Sequence, residues 1–261
     1  MFSKRYKLFR AAGGAGFTLI ELMVVISIMM TLMSILLPSL NRAREAGKRV
    51  VCLSNLRQMT MAWQFYTGDN DEQLCSPDTF WNDTDVSKYW AADGPVLPSN
   101  NIGGTKAALK GGVLWSYTEH TADLYKCRAD RTDLLRSYSM SNTMGGYARD
   151  GTRPFHTTAD ITQAPDRVVF VDAGSRLRWI AGSFWPMHIG DDGARWEIRD
   201  GHNITARHGG GFNMSFADFH TEYYRWRDRR TEQLSYWEIG ADQASGGNRD
   251  LKHVVRLLRG R

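Results

Sequence analysis

The sequence predicts an α+β protein of pronounced asymmetry: one long N-terminal helix, half membrane span and half packing face, set against an antiparallel β-sheet head. Three observations carry that expectation. Residues 17–37 form an unbroken apolar run, a helical apolar stripe resumes beyond it, and short β-type runs fill the second half.

The 261 residues are 42% hydrophobic and 23% charged, a composition that can bury a real core and argues against wholesale disorder. The length suits one domain of ordinary size with an appended anchor. A net charge of +5 looks basic, but Lys4, Arg5, Lys7 and Arg10 supply four of the charges and no acid precedes Glu21. Removing them leaves +1, so the charge points to no nucleic-acid partner. Cys52, Cys75 and Cys127 are too few for a disulfide scaffold, and the low count argues against a cysteine-rich zinc centre. In an exported head they allow one disulfide and one free thiol, with the pairing left open.

The apolar run over 17–37 holds a single charge, Glu21, and a helix of that length spans roughly 30 Å of hydrocarbon. The four basic residues before it would stay in the cytoplasm, which places everything after residue 40 outside. A secretory signal peptide would have a shorter apolar core and a small-residue cleavage pattern, whereas this run leads into Leu37-Pro38-Ser39-Leu40-Asn41. A buried helix of a soluble protein rarely stays apolar all round for so long. A plain single-span anchor leaves Glu21 unexplained, since a carboxylate in a bilayer costs roughly 2.5–3.5 kcal/mol and usually marks a function.

Gly16-Phe17-Thr18-Leu19-Ile20-Glu21, behind its short basic leader, resembles the cleavage and methylation motif of type IV pilins and type II secretion pseudopilins. The resemblance implies that residues 1–16 are a leader, cut between Gly16 and Phe17 by a prepilin peptidase, and that Phe17 is then N-methylated. It also implies that Glu21 is the assembly glutamate, that residues 17–40 are the transmembrane helix and that residues 41–261 are the exported head. The physics agrees with the transfer. Cutting before Phe17 creates a cationic amine one turn from Glu21, and in a filament the amine of one subunit can pair with the carboxylate of the next.

Beyond Pro38, which removes one helical hydrogen bond and should kink the helix, Ala46, Val50, Leu53, Leu56, Thr60 and Trp63 recur at helical spacing. Gly68 and Asp69-Asn70-Asp71 read as its stop, giving one helix from about Phe17 to Thr67. Cys52-Leu53-Ser54-Asn55-Leu56-Arg57-Gln58 and Leu124-Tyr125-Lys126-Cys127-Arg128-Ala129-Asp130 resemble segments of a pseudopilin-like subgroup, with Arg128 where proline is usual. Residues 69–115 read as a loop-rich excursion. Strands are expected over Leu135–Met140, Arg167–Asp172, Leu177–Ala181, Asn203–Arg207, Phe212–Ala217 and Thr221–Trp226, with Gly209-Gly210-Gly211 as a hairpin turn. The tail Lys252–Arg261 reads as a solvated basic terminus.

His208, nine further residues and Asp218-Phe219-His220 form the densest polar constellation. It resembles an H-x9-D-G pattern of the same subgroup, with Phe219 in place of glycine. His208 and Asp218 are read as a structural pair on one hairpin. The competing reading is a metal site of His202, His208, Asp218 and His220, which lacks the H-E-x-x-H spacing of hydrolytic zinc sites. Asp69 to Glu72 and Asp191-Asp192-Gly193 offer oxygen ligands suited to calcium without its full loop spacing, so helix-end and turn chemistry explains them better. No serine-hydrolase elbow, P-loop or dinucleotide fingerprint occurs. The nine tryptophans admit a glycan-binding reading but suit a core better.

Taken together, the residues point to a structural subunit that is not an enzyme and needs no cofactor or metal. Its implied partners are a prepilin peptidase, other pilin or pseudopilin subunits and inner-membrane lipid. Its expected location is the cytoplasmic membrane, with the head in the periplasm or outside the cell. A membrane-anchored adhesin or glycan binder is the alternative, and an exported metalloenzyme a third.

Overall fold

The computed structural model describes residues 17–77, 88–91, 109–132, 134–148, 153–174, 182–185, 187–190, 193–196, 204–236 and 241–259. Helix α1 runs Leu19–Asp69 and passes Pro38 as one continuous element. The chain divides into two compact units within this helix, one ending at Arg44 and the other covering Glu45–Arg261. In the first unit every apolar side chain from Leu19 to Leu40 is exposed. An 18-residue window here has a mean hydropathy of 2.4, so by length and composition this stretch can cross a membrane.

In the second unit the same helix changes character. Cys52, Leu56, Met59 and Trp63 are fully buried at intervals of four, three and four, the stripe expected from the sequence. The helix ends where Asn70 and Glu72 both donate backbone N–H groups to the Thr67 carbonyl. Asp71 and Glu72 then take left-handed φ values of 52° and 61°. The acidic run after Gly68 is thus a helix terminus.

The head sheet has the order β3-β1-β2-β6-β7, from β1 (Tyr138–Ser141), β2 (Val168–Asp172), β3 (Ser183–Phe184), β6 (Gly211–Phe216) and β7 (Thr221–Arg225). The pairings β1–β2, β2–β6 and β6–β7 are antiparallel, but β3 runs parallel to β1, so the sheet is mixed where an antiparallel one was expected. A separate hairpin joins β4 (Met187–Gly190) to β5 (Gly193–Trp196).

Strand β6 is buried on both faces. Phe212, Met214 and Phe216 enter one core cluster, while Ser215 on the opposite face accepts a 2.7 Å hydrogen bond from Thr60 of α1. A register shift between Val168 and Phe170 in β2 sends Val168 and Val171 to the first cluster and Val169 and Phe170 to the α1 side. The sheet is therefore covered by α1 on one face and by C-terminal helices on the other.

That second cover corrects the reading of the tail. Helices α2 (Arg229–Ser235), α3 (Ala241–Ser245) and α4 (Arg249–Arg259) close the far face. Leu251, Val254, Leu257 and Leu258 of α4 are buried with Phe212 and Trp226. Their spacing of three, three and one is an ordinary amphipathic stripe, and the interleaved basic residues are its solvent side. Asp250, itself fully buried, accepts from the Tyr224 hydroxyl at 2.9 Å and from the backbone N–H groups of Arg227 and Asp228. This carboxylate fastens α4 to the end of β7.

Two other expectations change. Ile204 to Ala206 form no strand, and Arg207–Gly210 is a tight helical turn with left-handed His208, Gly209 and Gly210. Only an isolated Arg207–Gly211 bridge remains of the expected glycine hairpin. The expected strand Leu177–Ala181 lies outside the described residues. Trp63, Trp90, Trp115, Trp185, Trp196 and Trp226 are all buried, so the described tryptophans belong to the core.

Candidate functional site

The first site lies at the start of α1. Gly16 falls outside the described residues, and Phe17 is 73% exposed. The Glu21 carboxylate accepts from the Thr18 backbone N–H at 2.9 Å and its hydroxyl at 2.7 Å, while the Thr18 hydroxyl accepts from the Glu21 N–H at 3.2 Å. This is a reciprocal capping box, in which Thr18 and Glu21 satisfy donors that the first helical turn leaves open. The Thr-x-x-Glu spacing of such a box is present in the sequence at Thr18 and Glu21. Glu21 therefore has a local role that any assembly role must coexist with.

The second site is a buried polar cluster under the head sheet. His208 enters it from the left-handed position ahead of β6, with φ of 57°. A non-glycine residue in that conformation is uncommon and costs on the order of 1–2 kcal/mol. Its Nε2 lies 3.2 Å from Cys127 Sγ and 3.5 Å from Asp172 Oδ2, at the end of β2. Asp172 Oδ2 also accepts from the Asn213 N–H at 3.1 Å. Beside this pair, Arg207 sits 3.0 Å from Asp130, which also accepts from Ser137 at 2.6 Å and lies 3.2 Å from Lys126.

The charges follow from these contacts. Burial works against a charge on His208, but the Asp172 carboxylate and the Cys52 sulfur outweigh it and hold the imidazole up to about 9. Burial also opposes the charge of Asp130, yet Arg207, Ser137 and Lys126 keep its carboxyl below the usual carboxylate range. Each buried charge thus has an opposite partner, as burial requires.

His208 and Asp218 do not form the expected pair. They stand at opposite ends of β6, whose six residues span roughly 20 Å when extended. Asp218 lies in the β6–β7 turn, where its carboxylate bonds both the ring and the N–H of His220. That turn closes with Phe219 N–H donating to the Phe216 carbonyl at 2.9 Å, and Phe219 takes φ of 72°. This is the left-handed position of a type I turn with a G1 bulge, so Phe219 occupies a conformation that favours glycine.

The metal set read from the sequence is not assembled either. His202 lies outside the described residues, and Asp218 and His220 are exposed in the turn. The donors that do converge are Cys52, Cys127 and His208, whose ligating atoms all lie within 4.8 Å of one another. Sequence reasoning missed this trio and Asp172, because separations of 75 and 81 residues leave no local spacing to read.

One prediction follows from His208. A raised folded-state pKa means its contribution is complete below the unfolded value of about 6.5 and fades as pH climbs through about 9. Thermal denaturation of the detergent-solubilised chain with its cysteines reduced should show stability falling across that window. His208→Gln should remove much of this slope and cost about 2 kcal/mol at pH 6, the range for a hydrogen bond to a charged group. Parallel curves for the two proteins would assign the pH dependence elsewhere.

An exposed apolar helix with a capped start, followed by an α+β head, defines a pilin-like arrangement. The model of the prokaryotic N-terminal methylation motif matches residues 14–37. With the long apolar helix, that match fits a type IV pilin-like protein, a substrate of a prepilin peptidase and a single-pass membrane anchor. No curated protein and no solved structure matches the chain.

Proposed function

We propose that the mature chain is a structural subunit of a type II secretion or type IV pilus-type filament, held in the cytoplasmic membrane with its head outside. The observation that carries this reading is the methylation-motif match over residues 14–37, laid on the Leu19–Leu40 part of α1, whose apolar side chains are all exposed. An exposed apolar helix needs either lipid or neighbouring copies of itself, and a filament subunit uses both in turn. The head acts as a packing module and not as an enzyme: the charges of its polar cluster are paired among themselves. Glu21 serves twice, capping its own helix and pairing with the Phe17 amine of the adjacent subunit.

The direct test is the mature N-terminus. Mass spectrometry of the membrane-extracted protein from its native host should find a chain beginning at N-methylated Phe17. A retained Met1 in cells with active peptidase, or a start near Asn41, would refute the reading.

A further inference from the structure

Cys52 on α1 and Cys127 in the segment after Tyr125 place their Sγ atoms 2.8 Å apart, with both side chains fully buried. Non-bonded heavy atoms prefer about 3.5–4.0 Å, so this pair is already inside ordinary contact. One turn along α1, Asn55 donates to the Lys126 carbonyl at 3.3 Å, which fixes the same two segments against each other independently of the sulfurs.

Two occupants suit such a pair. A tetrahedral ion at about 2.3 Å from each sulfur holds the sulfurs about 3.8 Å apart and must force them open, whereas a covalent bond of about 2.05 Å only closes them. The surrounding charges favour the bond. His208 already pairs with Asp172, and Arg207 with Asp130, so a neutral cystine needs no further compensation. Two thiolates in the same place would need a cation.

We propose that Cys52 and Cys127 form a disulfide in the exported protein, stapling α1 to the Leu124–Asp130 segment and leaving Cys75 as a thiol. The inference rests on the exported location of the head, because such bonds persist outside the reducing cytoplasm. The oxidant is a thiol–disulfide oxidoreductase carrying its own disulfide. Cys52 thiolate attacks that disulfide, forms a mixed disulfide and releases one thiolate of the oxidant. Cys127, having lost its proton to water, attacks the Cys52 sulfur and displaces the second thiolate. Two electrons pass to the oxidant and two protons to solvent. In the closed head burial pushes the Cys75 thiol up, away from exchange with the finished bond. Since both sulfurs are enclosed in the folded head, the bond forms while the head is still open.

The test uses the full chain from its native membrane, with free thiols alkylated at acid pH before digestion without reduction. The expected dominant species is a Cys52 peptide linked to a Cys127 peptide, with Cys75 alkylated. In a second arm, reduced full-length protein in detergent is refolded in glutathione redox buffer. The same link should form, persist in Cys75→Ser and vanish in Cys52→Ser and Cys127→Ser. Free Cys52 and Cys127 in both arms, a bond to Cys75, or an ion bound by the two free thiols would overturn the pairing. External protease applied to the same cells locates the head. A link in vitro, free thiols in cells and a shielded head would overturn the exported location and uphold the pairing; free thiols in cells with an accessible head would overturn the pairing in the native protein.

Discussion

Glu21→Gln is expected to leave cleavage and membrane insertion intact and to abolish incorporation of the subunit in filaments. Glutamine at the third helical position can still accept from Thr18, so the capping box survives and the start of α1 is unchanged. Only the charge is lost. In an apolar filament core the Phe17 amine of the neighbouring subunit would then be buried without a counter-ion, a cost of about 3–5 kcal/mol per interface. Sheared filaments should contain roughly a hundred- to several-thousandfold less of the variant. Glu21→Ala should behave alike and lose roughly 1 kcal/mol more from the broken cap. The contrast matters because both interactions use one carboxylate. Failure of Glu21→Ala together with normal incorporation of Glu21→Gln would place the effect in the cap and dismiss charge pairing.

The second large effect is expected at Gly16. Replacement by leucine should leave the leader attached, and an immunoblot against the head should show a precursor longer by the sixteen leader residues. A peptidase that closes on extended backbone needs room beside the scissile bond, and glycine presents no Cβ there. Gly16→Ala should be tolerated because the site stays small. The uncut Gly16→Leu chain should also fail to assemble, although Glu21 is intact, because the cationic amine at Phe17 never forms. Filaments built from uncut protein would break the link between processing and charge pairing.

The two halves of the molecule were unequally legible. The membrane-spanning part of α1 and its continuation through Leu56 and Trp63 could be read because helical periodicity is local. Strands β2, β6 and β7 could be read because alternation and turn residues are local too. Ile204 to Ala206 looked like a strand from β-branched composition, but the left-handed turn at His208 to Gly210 gives them no partner strand. The basic residues Lys252, Arg256 and Arg259 give the α4 segment the look of a solvated tail, but the stripe of Leu251, Val254, Leu257 and Leu258 between them has local helical periodicity and encodes the buried face. The His208 cluster was illegible for a different reason. Cys52, Cys127 and Asp172 reach it from three separate elements, and no spacing in the chain encodes which elements the fold brings together.

The layer formed by α4 has a consequence for how the head comes to exist. Its side chains finish a cluster begun at Val168, so that core is assembled from pieces far apart in sequence and cannot be completed locally. In the proposed export, with the N-terminus held in the cytoplasm, β2, β6 and β7 reach the outer side first and α4 last. Until α4 emerges, Phe212, Met214 and Trp226 have water where they later have leucine and valine, and this face of the sheet has no return on its share of the loop-closure entropy. Among the described residues, the α1-side core holds none from α4. Under the proposed export the α4 face closes only when translocation is over: one side of the sheet can set against α1 in transit, and the other becomes rigid on arrival.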